Sequence, residues 1–381
     1  MLSDVLHKSF VFSIRVGSFL GALPGTWDNS ERQKVTHTKR SVRKFVAAGL
    51  VLLFYTFFAG SRCLMYFLNN DSKNSNFYFT GILVLCFSLV NFVGFRMLLQ
   101  VNEINQLLNS FMVFFIHLKE LYLQRGLKSL ELKSTERLVS LMILSCAMFP
   151  CVVTVDAYFN PRPYFLTSLV VGDNFLLKLT LLFGQMWIYS CENSVVVAHA
   201  VTFITFSTAT HAILFDMRPN RKNYQTYNSL RRPRDLVLCY KGFAYLVTIF
   251  NEIYRDVAMP ANNVFTLVTV LSNFAIIRNA HDHSAYFTVV FCALSLFSGF
   301  AWSTILTFSS KLSVISNGTI NSWKYFQLKN ASDAKYLSKI RKSCRPMRLA
   351  CGGFYYIDPI RVFRFAHSIL WGTLRIKLLL K

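Results

Sequence analysis

Charge is scarce in this chain: 15% of its 381 residues are Asp, Glu, Lys or Arg, and only 18 of them are acidic against 41 basic. A soluble domain carries about 25% charged residues, and here 53% of the chain is apolar with positive mean hydropathy, so the solvent of this fold is a bilayer. Its nine cysteines form no C-x-x-C pair and mostly sit inside apolar runs, which excludes a zinc site or a disulfide framework. His281 and His283 form an H-x-H without a third ligand, so no metal or other cofactor is expected. Phosphate-binding P-loops, G-x-S-x-G elbows and H-E-x-x-H helices are missing, and Asp156 and Glu192 have no patterned partner, so an enzyme is not expected. The net charge of +23 falls between apolar runs rather than on one basic domain, which argues against a nucleic-acid partner. No internal repeat of the kind found in transporters is visible.

What is present is a series of apolar runs long enough to cross about 30 Å of hydrocarbon, which takes about 20 residues. They predict an all-α polytopic membrane protein with seven transmembrane helices, at 45–68, 77–99, 138–159, 195–215, 259–277, 285–308 and 362–381. The run from Phe175 to Phe215 lacks proline and has one glycine, so it reads as one long helix extending past the bilayer. In the fifth run Asn262 and Asn263 must face protein rather than lipid. The last run carries Arg364, His367, Arg375 and Lys377, which must lie near its ends or face protein and water. Residues Phe10 to Leu23 imitate a signal peptide, but Arg15 interrupts them, and a retained amphipathic segment is the expectation.

Lys and Arg set the orientation. Segments 1–44, 100–137, 216–256 and 309–364 hold 32 of them, whereas the three loops between, 69–76, 160–174 and 278–284, hold three. The N-terminal segment, 1–44, is therefore expected in the cytosol, the basic loop 309–361 with it, and the C-terminus outside the cell. Of three N-x-S/T sequons, Asn70 falls in an outer loop and is the expected glycan site, while Asn317 and Asn330 fall in the most basic loop. Apolar spacing at Leu236, Tyr240, Phe243, Leu246 and Phe250 predicts a helical layer beneath the membrane.

Between Arg345 and Ile360 the chain reads R-P-M-R-L-A-C-G-G-F-Y-Y-I-D-P-I, with Gly353, Tyr355 and Asp358 spaced ahead of a last apolar helix. This resembles the ending of insect gustatory receptors, where a G-x-F-x-h-D pattern precedes the seventh helix. The segment G-A-L-P, Gly21 to Pro24, is similar to a short segment near the start of that family. The family's T-Y-h-h-h-h-h-Q-F signature is kept here only at Thr373, because Thr373 to Lys381 reads T-L-R-I-K-L-L-L-K. The resemblance implies a chemosensory ligand-gated cation channel of the plasma membrane, detecting small-molecule tastants as a homo- or hetero-tetramer with other receptor subunits. It places Thr373, Arg375, Ile376, Lys377 and Leu380 in the pore region, and a ligand pocket toward the outer helix ends, where Tyr78, Phe79, Tyr158 and Tyr286 fall. A G-protein-coupled receptor shares the helix number but needs the opposite orientation. A carrier or a non-conducting modulatory subunit is the other alternative, the latter because Arg375 and Lys377 would place positive charge near the pore mouth.

Overall fold

A computed structural model describes residues 4–28, 34–69, 75–122, 130–159, 162, 165–169, 174–221, 223–278, 285–328 and 330–379. Asn70, His281, His283 and Leu380 lie outside the described residues, as does the side chain of Tyr286. The helices are α1 (Asp4–Leu20), α2 (Lys39–Leu68), α3 (Ser75–Leu99), α4 (Val101–Tyr122), α5 (Leu130–Phe159), α6 (Phe175–Asp216), α7 (Pro233–Arg278), α8 (Ala285–Ser322), α9 (Ala331–Ser343) and α10 (Ile360–Leu379). Two small antiparallel hairpins accompany them, β1 (Thr26–Asp28) with β2 (Lys34–Thr36), and β3 (Ala350–Cys351) with β4 (Tyr355–Tyr356). This is an all-α fold, in which α2, α3, α5, α6, α7 and α8 are long and apolar enough to span a bilayer by themselves. The seventh membrane helix, α10, falls short on composition, because Arg361, Arg364, Arg375 and Lys377 dilute it.

Helix limits follow from local chemistry. A capping box opens α2: the Ser41 amide donates to Thr38 Oγ1 at 3.1 Å and the Thr38 amide donates to Ser41 Oγ at 2.9 Å. Asn174 caps α6, accepting from the Leu177 amide at 3.2 Å, and the helix runs without proline for 42 residues until Pro219 forbids its continuation. At 1.5 Å per residue that is about 63 Å, twice the hydrocarbon thickness. Pro233 stands at the first position of α7, where its missing N–H costs nothing, and Asp235 complements the helix dipole. The first helix ends at Gly21, whose φ of +81° suits glycine, and the Ala22 amide returns to the Gly17 carbonyl at 2.7 Å. The G-A-L-P segment is thus a helix stop that turns the chain into the β1–β2 hairpin. Asn109 of α4 then fixes that hairpin, donating to the Val35 carbonyl at 2.9 Å and accepting from the Val35 amide at 2.7 Å.

α6 is the core element, buried along most of its length and packed by α1, α2, α3, α5 and α8. Leu6, Phe10 and Ile14 of α1 present one buried stripe, leaving Lys8, Phe12, Arg15 and Phe19 on the opposite side. Outside the bundle, Leu50, Phe54, Phe57, Leu141, Leu296 and Phe300 are each more than 60% exposed. A soluble monomer does not leave such a belt in water, so hydrocarbon covers it. Of the two asparagines expected to face protein in the fifth span, Asn262 does so, accepting at Oδ1 from Trp302 Nε1 of α8 at 2.8 Å, whereas Asn263 is exposed on the outside of α7.

At the basic end of the bundle, α4, the first half of α7, the end of α8 and α9 gather. Asp216, almost fully buried at the foot of α6, accepts from Arg221 at 2.7 Å and from the Gln225 amide at 2.8 Å. Arg218 reaches across to α8, donating to Thr319 Oγ1 at 3.2 Å and the Ile315 carbonyl at 2.9 Å. A Cβ at Gly318 would meet that guanidinium at 2.7 Å, so the glycine makes room for the crossing.

Candidate functional site

The charge-poor half of the bundle closes around a polar centre with aromatic walls. Tyr55 of α2 is fully buried opposite Tyr189 and Gln185 of α6, which are buried as well. Neither tyrosine hydroxyl could sit in hydrocarbon unsatisfied, and each finds a partner. The two hydroxyls share a hydrogen bond of 3.1 Å, Gln185 Nε2 donates to Tyr55 Oη at 2.9 Å, and Gln185 Oε1 accepts from the Leu166 amide at 3.0 Å. Phe87 of α3 stands edge-on to Tyr55 at 4.8 Å and to Tyr189 at 5.6 Å, and Phe149 of α5 meets Tyr189 at 5.9 Å. Four helices therefore converge on one short donor–acceptor relay.

The 3-10 turn Leu166–Leu169 lies over that relay, which its Leu166 amide joins. Its neighbour Phe165 is buried, and Thr167 Oγ1 donates to the Ala157 carbonyl at 3.3 Å, tying the turn to α5. Arg162 pairs with Asp156 at 3.7 Å and stacks over Phe287 of α8 at 4.2 Å, so a single guanidinium bridges α5 and α8 beside this turn. Behind it Phe287 stacks on Phe291, and Phe291 meets Phe79 of α3 at 6.4 Å. Such a set offers a small amphipathic molecule aromatic faces and a few oriented polar groups.

The four positions taken from sequence divide in the structure. Tyr78 and Phe79 are both buried but serve different neighbours: Tyr78 packs on Phe274 and accepts from Arg278 at 3.1 Å, whereas Phe79 belongs to the Phe291 cluster. Tyr158 is 42% exposed on the outside of α5, with the Lys178 ammonium 4.9 Å over its ring. Tyr286 starts α8. Tyr55, Gln185, Tyr189 and Arg162 come together only in the fold, although Gln185 in mid-span and the Asp156–Arg162 spacing are signals that the sequence carries.

At the basic end a second constellation links α7 and α8 to α10. Tyr240 Oη donates to the Arg345 carbonyl at 2.8 Å, and the Met347 amide donates to Ser316 Oγ at 3.0 Å. Asn251 uses both ends of its amide, accepting from the Ala350 amide and donating to the Arg348 carbonyl, each at 2.9 Å. The β3–β4 turn places Gly352 at φ +59°, while Gly353 has open space around it. Tyr355 lies under the Arg361 guanidinium at 3.7 Å, and Asp358 opens α10, its carbonyl accepting from the Arg361 amide at 3.0 Å. Burial pushes the Cys344 and Cys351 thiols above their ordinary range, so neither is a nucleophile at neutral pH.

α10 packs Val362, Phe365, Ile369, Gly372, Thr373 and Ile376 toward α7 and α8, a helical stripe that brings Gly372 against Val270. The Thr373 hydroxyl stays within its helix, donating to the Ile369 carbonyl at 2.9 Å. Arg375 and Lys377 both fall on exposed flanks, Arg375 lying 5.7 Å from the Trp371 ring centre.

Compared with solved structures, the chain is similar from end to end to the insect olfactory receptor OR5 from Machilis hrabei. Its complex with eugenol gives a TM-score of 0.67 at 12% identity, covering 99% of this chain and 100% of that one. A second structure of that receptor gives 0.66 at 9% identity, covering 98% and 99%. At this identity the likeness establishes a shared fold. No family model and no curated protein matches the chain.

Proposed function

We propose that this chain is a subunit of a chemosensory receptor channel of the plasma membrane, with a small organic molecule as ligand and cations as the permeant species. The observation that carries the reading is the buried Tyr55–Gln185–Tyr189 relay, set in aromatic walls inside a fold shared in full with an insect olfactory receptor. In this reading the relay and its aromatic walls open to bind the ligand, and the bonded linker from Arg345 to Asp358 gives α7 and α8 a mechanical route to α10. A ligand that spreads α5 and α8 would strain the Arg162–Phe287 bridge first. Gustatory specificity rests on the Gly353, Tyr355 and Asp358 pattern, and tastants are the ligand class that pattern supports. The charge distribution supports a cytosolic N-terminus and an outer chamber.

The exposed flank of α10 is the face left for neighbouring subunits and a pore, in a homo- or hetero-tetramer. Arg375 and Lys377, exposed on either side of the packed stripe, favour a second reading beside the first, a modulatory subunit that conducts poorly alone. Patch-clamp recording of the chain expressed alone and with an insect co-receptor subunit tests both, with a panel of volatile and water-soluble odorants and tastants. Ligand-evoked cation current in the pair, lowered by Gln185→Leu, supports the receptor reading. A chain that reaches the surface and alters no current under the whole panel defeats it.

A further inference from the structure

Along the outside of the bundle, α1 and α5 pack on α6 and partly against each other, and a groove lined by residues of all three helices runs between them. Its inner stretch is a cavity of about 500 Å³ walled by Val16, Leu20, Ala147, Pro150 and Met186. Through Phe12, Ser140 and Ile143 it opens into a second cavity of about 810 Å³, where His7, Lys8 and Arg15 of α1 stand. Ser140 and Leu144 also border a third, of about 720 Å³, with Lys133, Arg137 and one carboxylate, Glu136, from the first turns of α5. The groove thus changes from hydrocarbon-lined to cationic along its length.

Three features give it an occupant. Phe12 on one lip and Leu144 on the other are more than half exposed, so the long side of the groove opens to the bilayer, and a water-soluble ligand would have no wall there. Between the apolar and basic stretches lies a band of hydroxyls from Ser13, Ser140, Ser190 and Ser194. Ser13 and Ser190 bond backward within their own helices, but Ser194, only 4% exposed and facing the cavity, has no hydrogen-bond partner among the described residues. A buried hydroxyl in that state calls for an acceptor supplied from outside the chain. Apolar tail, ester-level hydroxyl and cationic end follow the order of groups in a glycerophospholipid.

We propose that this groove binds an anionic phospholipid of the inner leaflet, with one acyl chain between α1 and α5, an ester carbonyl accepting from Ser194, and the phosphate among Lys8, Lys133 and Arg137. Cationic surfaces at the cytosolic membrane face select anionic headgroups, and Glu136 leaves the cluster cationic. Since α1 and α5 both pack on α6, the lipid would clamp the amphipathic N-terminal helix to the bundle. The inference rests on the cytosolic placement of the basic end and not on channel activity.

The test is retention of phosphatidylinositol bisphosphate by the full chain in phosphatidylcholine nanodiscs, read by native mass spectrometry with no current measured. The wild type should keep the phosphoinositide in preference to phosphatidylcholine. Replacing Lys8, Lys133 and Arg137 by Gln should weaken retention by about fivefold per cation removed. Ala147→Trp, which fills the apolar stretch without touching charge, should weaken it too, with the melting temperature of each variant serving as the folding control. Equal retention of both lipids, or unchanged retention in either variant, overturns the proposal. So does displacement by free inositol trisphosphate at the concentration at which the lipid itself competes, which would mean a phosphate site without an acyl groove. An N-terminal tag found outside the cell would fail the topology separately, and a silent channel would leave the binding result intact.

Discussion

The Tyr55 hydroxyl is fully buried and bonds to both Gln185 and Tyr189, so its removal disturbs both. Tyr55→Phe keeps the ring against Phe87 but removes the acceptor of Gln185 Nε2 and the hydroxyl that bonds Tyr189 in a fully buried site. A cost of about 1–3 kcal/mol is expected, seen as a lower melting temperature of the purified chain. Tyr55→Phe with Gln185→Leu should recover part of the loss, because the second change removes the orphaned amide. A loss in the double variant equal to the sum of the singles would show that the two groups act independently. Asp216 presents the same logic at the basic end. Asp216→Asn keeps the shape but loses the charge that Arg221 approaches, and its NH2 must then face one of the two donors that the carboxylate oxygens accept from. About 1–3 kcal/mol of destabilisation is expected there also, together with faster proteolysis of the 217–231 segment.

Among the elements, α10 is held by a narrow stripe and released on a broad face. A Cβ at Gly372 would lie 3.0 Å from Val270, so Gly372→Leu must push α10 away from α7. Overpacking of this kind costs about 1–3 kcal/mol, and here the strain falls on the joint between the sensing bundle and the last helix. The expected outcome is a chain that folds and reaches the surface with altered gating, measured as a shifted ligand dose response in the co-expressed pair. Gly353→Ala, at an open position, should leave the response unchanged. On the released face Arg375→Ile with Lys377→Leu should raise cation current of the chain expressed alone if those charges border the pore. An unchanged current would place both side chains away from the ions.

For the molecule as a whole, orientation is the property on which the rest depends. With 32 Lys and Arg in four segments against three in the loops between, the N-terminus should be cytosolic, so an N-terminal tag should be protected from protease on intact cells and a C-terminal tag cleaved. The glycan should be lost on Asn70→Gln and survive Asn317→Gln. Asn317 lies within α8, where its amide bonds to Asn321, and Asn330 is the cap of α9, so both are engaged in helical structure. A mobility shift that depends on Asn317 would reverse the map.

The sequence by itself determined the all-α membrane fold, because hydropathy acts locally and needs no knowledge of neighbours. The unbroken run from Phe175 onward made α6 legible before any contact was known, and Asn262 announced a protein-facing partner without naming Trp302. The motif ahead of the last helix marked Gly353, Tyr355 and Asp358, but not the neighbouring Gly352, which carries the positive φ. Tertiary structure alone decided which aromatic residues meet. In a chain with 37 phenylalanines and 17 tyrosines, nothing local distinguishes Tyr55, which faces Tyr189 across the bundle, from Tyr158, which faces outward. Both satisfy the same hydropathy, and the difference arises from how α2, α5 and α6 rotate against one another, which long-range packing sets. The α1–α5 groove was equally invisible, since its two walls lie more than a hundred residues apart and their opposition exists only once both helices rest on α6.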